Sequence, residues 1–138
     1  MIALVDTDVL VDCLRGVAEA REWASQRRAE SFAIPGIAAM ELVCGCRDGA
    51  ALQLVRAFLA DFPIVWPTAS DAEMANGLLV AYRLSYGIGI ADAMIASMAI
   101  QRSATLYTFN TRHVSALPGL VAASPYARVD RTDGPRKP

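Results

Sequence analysis

IALVDTDVLVDCLRG, residues 2 to 16, changes from one kind of secondary structure to another within a few positions. Residues 2–5 are an unbroken apolar run without polar alternation, the pattern of a strand buried on both faces. Asp6-Thr7-Asp8 ends the run. Residues 9–16 then continue as a helix, with Asp8 placed to cap it and Gly16 to stop it. A buried strand that passes directly into a helix is the start of a parallel α/β unit.

The alternation continues along the chain. A charged amphipathic stretch, roughly 17–29, leads to a second strand, SFAIP (31–35). GIAAMELVCGCR is then helical to Asp48-Gly49, and ALQLVRAFLADF (51–62) repeats its apolar residues at helical spacing. PIVWP (63–67) reads as a short strand, and Ser70-Asp71-Ala72-Glu73 as a capping box opening a helix to about Tyr86. GIGIADAMIASMAI (87–100) is a core helix of about 12 residues, TLYTFN (105–110) a buried strand and GLVAAS a last one. Strands alternating with helices imply a three-layer α/β/α fold around a mostly parallel sheet. There is no internal repeat or linker. One domain over 1–129 and a mobile polar tail over 130–138 are expected.

Composition narrows the function. The 138 residues are 54% hydrophobic, enough for one proper core and apolar enough to suit a dimer or a held partner. No run approaches the roughly 18 apolar residues of a membrane span. Asp6 interrupts the opening run, which lacks a basic leader, so the expected location is the cytoplasm. The three cysteines read as small hydrophobes in a reducing compartment, since Cys44 and Cys46 lack zinc spacing. A net charge of −1 argues against binding nucleic acid by charge alone. Positive charge is nearly all arginine, because Lys137 is the only lysine.

The acids carry the chemistry. Sites in parallel sheets form beyond the carboxyl ends of the strands. Asp6 lies at that end of the first strand and Asn110 at that end of TLYTFN. Glu41 lies about a turn into the helix after the second strand, and Asp92 early in the helix before TLYTFN. Converging carboxylates repel by about 4 kcal/mol per pair at about 4 Å and an effective dielectric near 20. Protonation of one acid or a hard cation relieves this, and an oxygen-only set suits Mg²⁺ or Mn²⁺. Water on such a cation attacks phosphodiesters. Each residue also has a plainer reading: Asp6 in an Asx turn, Glu41 on a solvated face, Asn110 capping NTRH, Asp92 capping its helix. Against the last, Ile95, Ala96 and Ala99 make the face around Asp92 apolar.

These residues resemble the PIN-domain ribonucleases, specifically the VapC-type toxins of toxin–antitoxin systems, to about residue 120. VDTDVLVD resembles the family's first motif, AAMELVCG the second, GIADAMIASMAI the third and most specific, and LYTFNTRHV the fourth. The resemblance implies a PIN-like fold and a Mg²⁺-dependent endoribonuclease, with Mn²⁺ a possible substitute. It also implies an RNA substrate such as tRNA or ribosomal RNA, a cognate antitoxin and a homodimer. Asp6 and Asp92 would be the principal metal ligands, Glu41 and Asn110 would complete the site, and Thr7 and Thr108 would be supporting hydroxyls. Many members carry a fourth acid where this chain has Asn110, which lowers the site charge by one.

Three rivals are weaker. VDTDVLV also fits the Asp-x-Asp of haloacid-dehalogenase-like phosphatases, but that chemistry and that of receiver domains need a lysine, and Lys137 is in the tail. A PIN-like binding module with a weakened site is motivated by Asn110 and the near-neutral charge. A serine or cysteine hydrolase is disfavoured because His113, the one histidine, follows no nucleophile motif. Arg15, Arg47, Arg112, Arg128, Arg131 and Arg136 could meet phosphates or simply be solvated. No interleaving of aromatic and basic residues marks a single-strand-binding surface.

Overall fold

The structure is a computed structural model and describes residues 3–27 and 32–128. The expected tail over 130–138 and the tail arginines Arg131 and Arg136 lie outside the described residues. Five strands, β1 (Ala3–Val5), β2 (Phe32–Pro35), β3 (Ile64–Val65), β4 (Thr105–Tyr107) and β5 (Val121–Ala123), form one sheet in the order β3-β2-β1-β4-β5. Every pairing is parallel, so the sheet expected to be mostly parallel is wholly so. Helices α1 (Thr7–Leu14), α2 (Ala18–Gln26), α3 (Gly36–Cys44), α4 (Gly49–Leu59), α5 (Ala69–Tyr86), α6 (Ile90–Gln101) and α7 (Thr111–Val114) flank it.

β1 and β2 are buried at every position, which is why their sequences show no alternation. Leu4, Ile34 and Leu106 are fully enclosed, each burial contributing about 1.5–3 kcal/mol. α6 is apolar nearly all round because it is covered on two sides. Ile95, Met98 and Ala99 join the core on the sheet, whereas Ala93 and Ala96 join a second cluster with Ala75 and Leu78 of α5 and Val114 of α7.

Several boundaries differ from expectation for identifiable reasons. α5 is capped by Thr68, whose hydroxyl accepts from Asp71 N while Asp71 returns a bond to Thr68 N, so the capping box begins two residues before Ser70. α1 is capped by Asp6, not Asp8: Asp6 Oδ1 accepts from Thr7 N at 2.7 Å. Gly16 does follow the helix, at φ +73°, a conformation that suits glycine. β4 stops at Tyr107, and residues 108–110 leave the sheet. Cys44 is exposed rather than buried, while Cys13 and Cys46 are half-buried.

The C-terminal half of α6 is locked to the N-terminal end of α5 by a polar network. Arg102, at the C-cap of α6, forks onto both carboxylate oxygens of buried Asp71 at 3.0 Å. Ser97 Oγ reaches Asp71 O at 2.8 Å. Burial opposes the charge on Asp71, but the bonds from Arg102 and Thr68 together outweigh it and hold the carboxyl below its usual range.

Candidate active site

The strand order reverses between β1 and β4: the chain winds β1, β2, β3 to one side and later adds β4 and β5 on the other. Crevices at such reversals lie past the carboxyl ends of the strands. There a cleft of about 400 Å³ is lined by Asp6, Thr7, Asp8, Glu41, Asp92, Phe109, Asn110 and Arg128. All four residues expected to form the site, Asp6, Glu41, Asp92 and Asn110, therefore share one cleft.

Asp6 leaves β1 and is fastened on both oxygens. Oδ1 accepts from Thr7 N at 2.7 Å and Oδ2 from Thr108 Oγ1 at 2.8 Å, while its own N–H donates to Tyr107 O at 2.9 Å. Thr108 is buried, and its hydroxyl also accepts from Asn110 N at 3.0 Å, so one hydroxyl sets both Asp6 and the turn carrying Asn110. Thr7 Oγ1 donates to Glu41 Oε1 at 2.8 Å, tying α3 to the start of α1. The two threonines expected to be supporting hydroxyls contact the acids in this way.

Asp92 is the third residue of α6. Its Oδ2 accepts from Gly89 N at 3.0 Å, half of a capping box whose other half is missing because glycine has no side chain to return it. Oδ1 receives a long contact from Asn110 Nδ2, 3.4 Å. Asp92 thus caps its helix and faces Asn110 as well. Asn110 occupies the N-cap of α7, yet its side chain makes no capping bond there.

Burial, then the charge of Asp8 and, less strongly, that of Asp92 lift the Asp6 carboxyl from 3.8 to about 6, against the bonds from Thr108 and Thr7. Burial also raises Asp8. The only positive charge lining the cleft among the described residues is Arg128, which is itself paired with Asp12, so the four acids are under-compensated. An all-oxygen set in that condition fits a hard divalent cation, which needs only one or two carboxylates when it keeps its waters. Among the described residues no group of three or more His, Cys, Asp and Glu side chains is arranged to hold a metal ion alone. Asp6 and Asp92, with Glu41 and Asn110 nearby, could hold such a cation through a partly hydrated shell.

Two contributors escaped the sequence reading. Asp8 lines the cleft and accepts from Val9 N at 2.8 Å and Phe109 N at 3.0 Å, joining α1 to the segment after β4. Its spacing of two from Asp6 was the available signal, but the capping role absorbed it. Asp12, buried on α1, bonds Tyr126 and Arg128 from the far end of the chain, a contact no local pattern reveals. His113, on α7, meets Tyr86 O through Nδ1 at 2.9 Å rather than any nucleophile. Among the described residues there is no lysine to serve the phosphatase chemistry.

The molecule is therefore an α/β domain with a parallel sheet and a carboxylate-lined cleft at its switch point, built from the ends of β1 and β4, the middle of α3 and the start of α6. The PIN domain family model matches residues 3–117, and the chain belongs to that family. It is 37% identical over 112 residues to Ribonuclease VapC10 of Mycobacterium tuberculosis, covering 80% of this chain and 84% of that protein. A toxin–antitoxin complex from Klebsiella pneumoniae contains a chain 31% identical, with a TM-score of 0.72 over 90% of this chain and 98% of that one. VapBC from Salmonella typhimurium, bound to DNA, shares the fold at a TM-score of 0.76 and 22% identity, over 91% of this chain and 100% of that chain.

Proposed function

We propose that this chain is a metal-dependent endoribonuclease toxin that cleaves structured cellular RNA, tRNA or ribosomal RNA, and is neutralised by a cognate antitoxin. The observation that carries the reading is the cleft itself: Asp6, Glu41, Asp92 and Asn110, from four separate elements, face one space where charge on Asp6 is disfavoured. Its relation to a ribonuclease and to a toxin–antitoxin chain supports the substrate class and the partner.

Asp6 and Asp92 are the proposed ligands of Mg²⁺ or Mn²⁺, with Glu41 and Asn110 completing the site. A cation bound there would supply an acidified water and positive charge against the phosphate. The protein's own part is to hold the acids still. Thr108 and the Thr7 N–H fix Asp6 from two sides, and the Thr7 hydroxyl orients Glu41 toward the same cleft. Burial around Asp6 limits water at its carboxylate, which strengthens the charge interactions made there. Exposed apolar side chains on α5 and α6, Val80, Leu84 and Ile90, support a homodimer. No helix among the described residues is long and apolar enough to cross a membrane.

Expression without an antitoxin should halt growth, and purified protein should cut total RNA with Mg²⁺ or Mn²⁺ and not in EDTA. Cleavage unchanged in EDTA would refute the metal-dependent reading. A weakened binding module is the second reading, favoured by the contact of Asn110 with Asp92 where another acid could stand. Metal-independent RNA binding without cleavage would support it.

A further inference from the structure

Arg128 lies beyond residues 3–117 covered by the family model, yet it lines the acidic cleft. The chain returns after β5 to bring it there. Its Nε and Nη2 donate to Asp12 Oδ2 and Oδ1 at 3.2 and 3.1 Å, and Tyr126 OH donates to Asp12 Oδ2 at 2.7 Å. The guanidinium carbon stands 4.1 Å from the centroid of the Phe109 ring, against which Tyr126 packs edge-on at 5.0 Å. Two hydrogen bonds and an aromatic face therefore fix the plane of a side chain that remains 50% exposed.

The charges around it make this costly arrangement informative. Every other charged group lining the cleft, Asp6, Asp8, Glu41 and Asp92, is acidic. Arg128 is satisfied by Asp12, outside that set, through Nε and Nη2. Among the described residues Nη1 has no hydrogen-bond partner, so donors remain on a rigid, half-exposed head at the rim of the cleft. A fork held in place loses little entropy when it meets a phosphate oxygen.

We propose that Arg128 binds a phosphate of the RNA chain at the rim of the cleft, with Asp12, Tyr126 and Phe109 holding its guanidinium in place. This rests on the ribonuclease reading above. Arg128 supplies local countercharge where the acids would otherwise repel the polyanion. A purely structural strut, tying the chain after β5 to α1, would make the same Asp12 contact without touching RNA.

The test is binding of fluorescently labelled bulk tRNA by the full chain across a salt series, in an Asp92→Asn background. Losing one phosphate contact should lower the slope of log K against log salt by about 0.7–0.9. Arg128→Ala should show that drop and bind roughly tenfold more weakly, the size of one charge-assisted hydrogen bond. Arg128→Lys should recover the slope and only part of the affinity, because it keeps the charge and not the fork. If Arg128→Ala does not fold, Arg128→Gln, which can still donate to Asp12, carries the same expectation. A folded Arg128→Ala or Arg128→Gln with the parent's affinity and slope overturns the assignment, leaving the ribonuclease reading intact. Parent protein with Asp92 that leaves total RNA, tRNA and ribosomal RNA together, uncut in Mg²⁺ overturns the ribonuclease reading, and the assignment falls with it.

Discussion

Asp6→Asn should make the metal-free protein more stable while removing its proposed activity. Burial and neighbouring acids lift Asp6 from 3.8 to about 6. Two pH units, at about 1.4 kcal/mol each, make the ionised carboxylate about 3 kcal/mol less favourable in the folded protein than in the unfolded chain. The sign follows from the proton count. Between pH 3.8 and about 6 the folded state keeps a proton that the unfolded chain has released, so stability falls as pH rises through that window. Asparagine has no such proton and keeps an oxygen for Thr7 N, although the bond from Thr108 must reverse. A net gain of about 1–3 kcal/mol at pH 7 remains after that loss. With a slope near 2 kcal/mol per molar, the urea midpoint should rise by about 0.5–1.5 M in EDTA. The gap should close toward pH 4, since the other carboxylates are common to both proteins. A variant less stable than the parent at pH 7, or a gap that ignores pH, would show that charge on Asp6 does not destabilise the fold.

Two further outcomes follow from individual contacts. Arg102→Ala strands Asp71, 1% exposed, without its fork, and should lower stability by about 3 kcal/mol in urea unfolding; a change under about 0.5 kcal/mol would contradict the account of that network. Thr7→Val frees Glu41 and should slow RNA cleavage about tenfold with little change in urea midpoint, and Thr7→Ser should restore it. Equal rates for Thr7→Val and parent would remove Glu41 orientation from the account.

The fold was legible because buried strands and helices alternate with different periods, and β1, β2 and α6 announced themselves by continuous apolar runs. The acids were legible for a related reason. A carboxylate beside Ile95, Ala96 and Ala99, all buried, has no ordinary solvent face. What stayed hidden was which residue held which. Asp6 and Asp8 are both competent caps, and the choice rests on tertiary contacts, of Asp6 with Thr108 and of Asp8 with Phe109 N. Thr68 and Ser70 compete in the same way, settled by the reach of Asp71. The pairing of Asp12 with Arg128 spans 116 positions, so no local pattern contains it.

In the proposed reaction Asp6 and Asp92 act together on RNA through a bound cation. Total-RNA cleavage with 5′-end mapping, comparing parent with Asp92→Asn in Mg²⁺ and in EDTA, tests it most directly. Discrete cuts by the parent in Mg²⁺ alone, and none by a fully folded Asp92→Asn, are the expected result. Cleavage by Asp92→Asn at the parent's rate, or by the parent in EDTA, would contradict it.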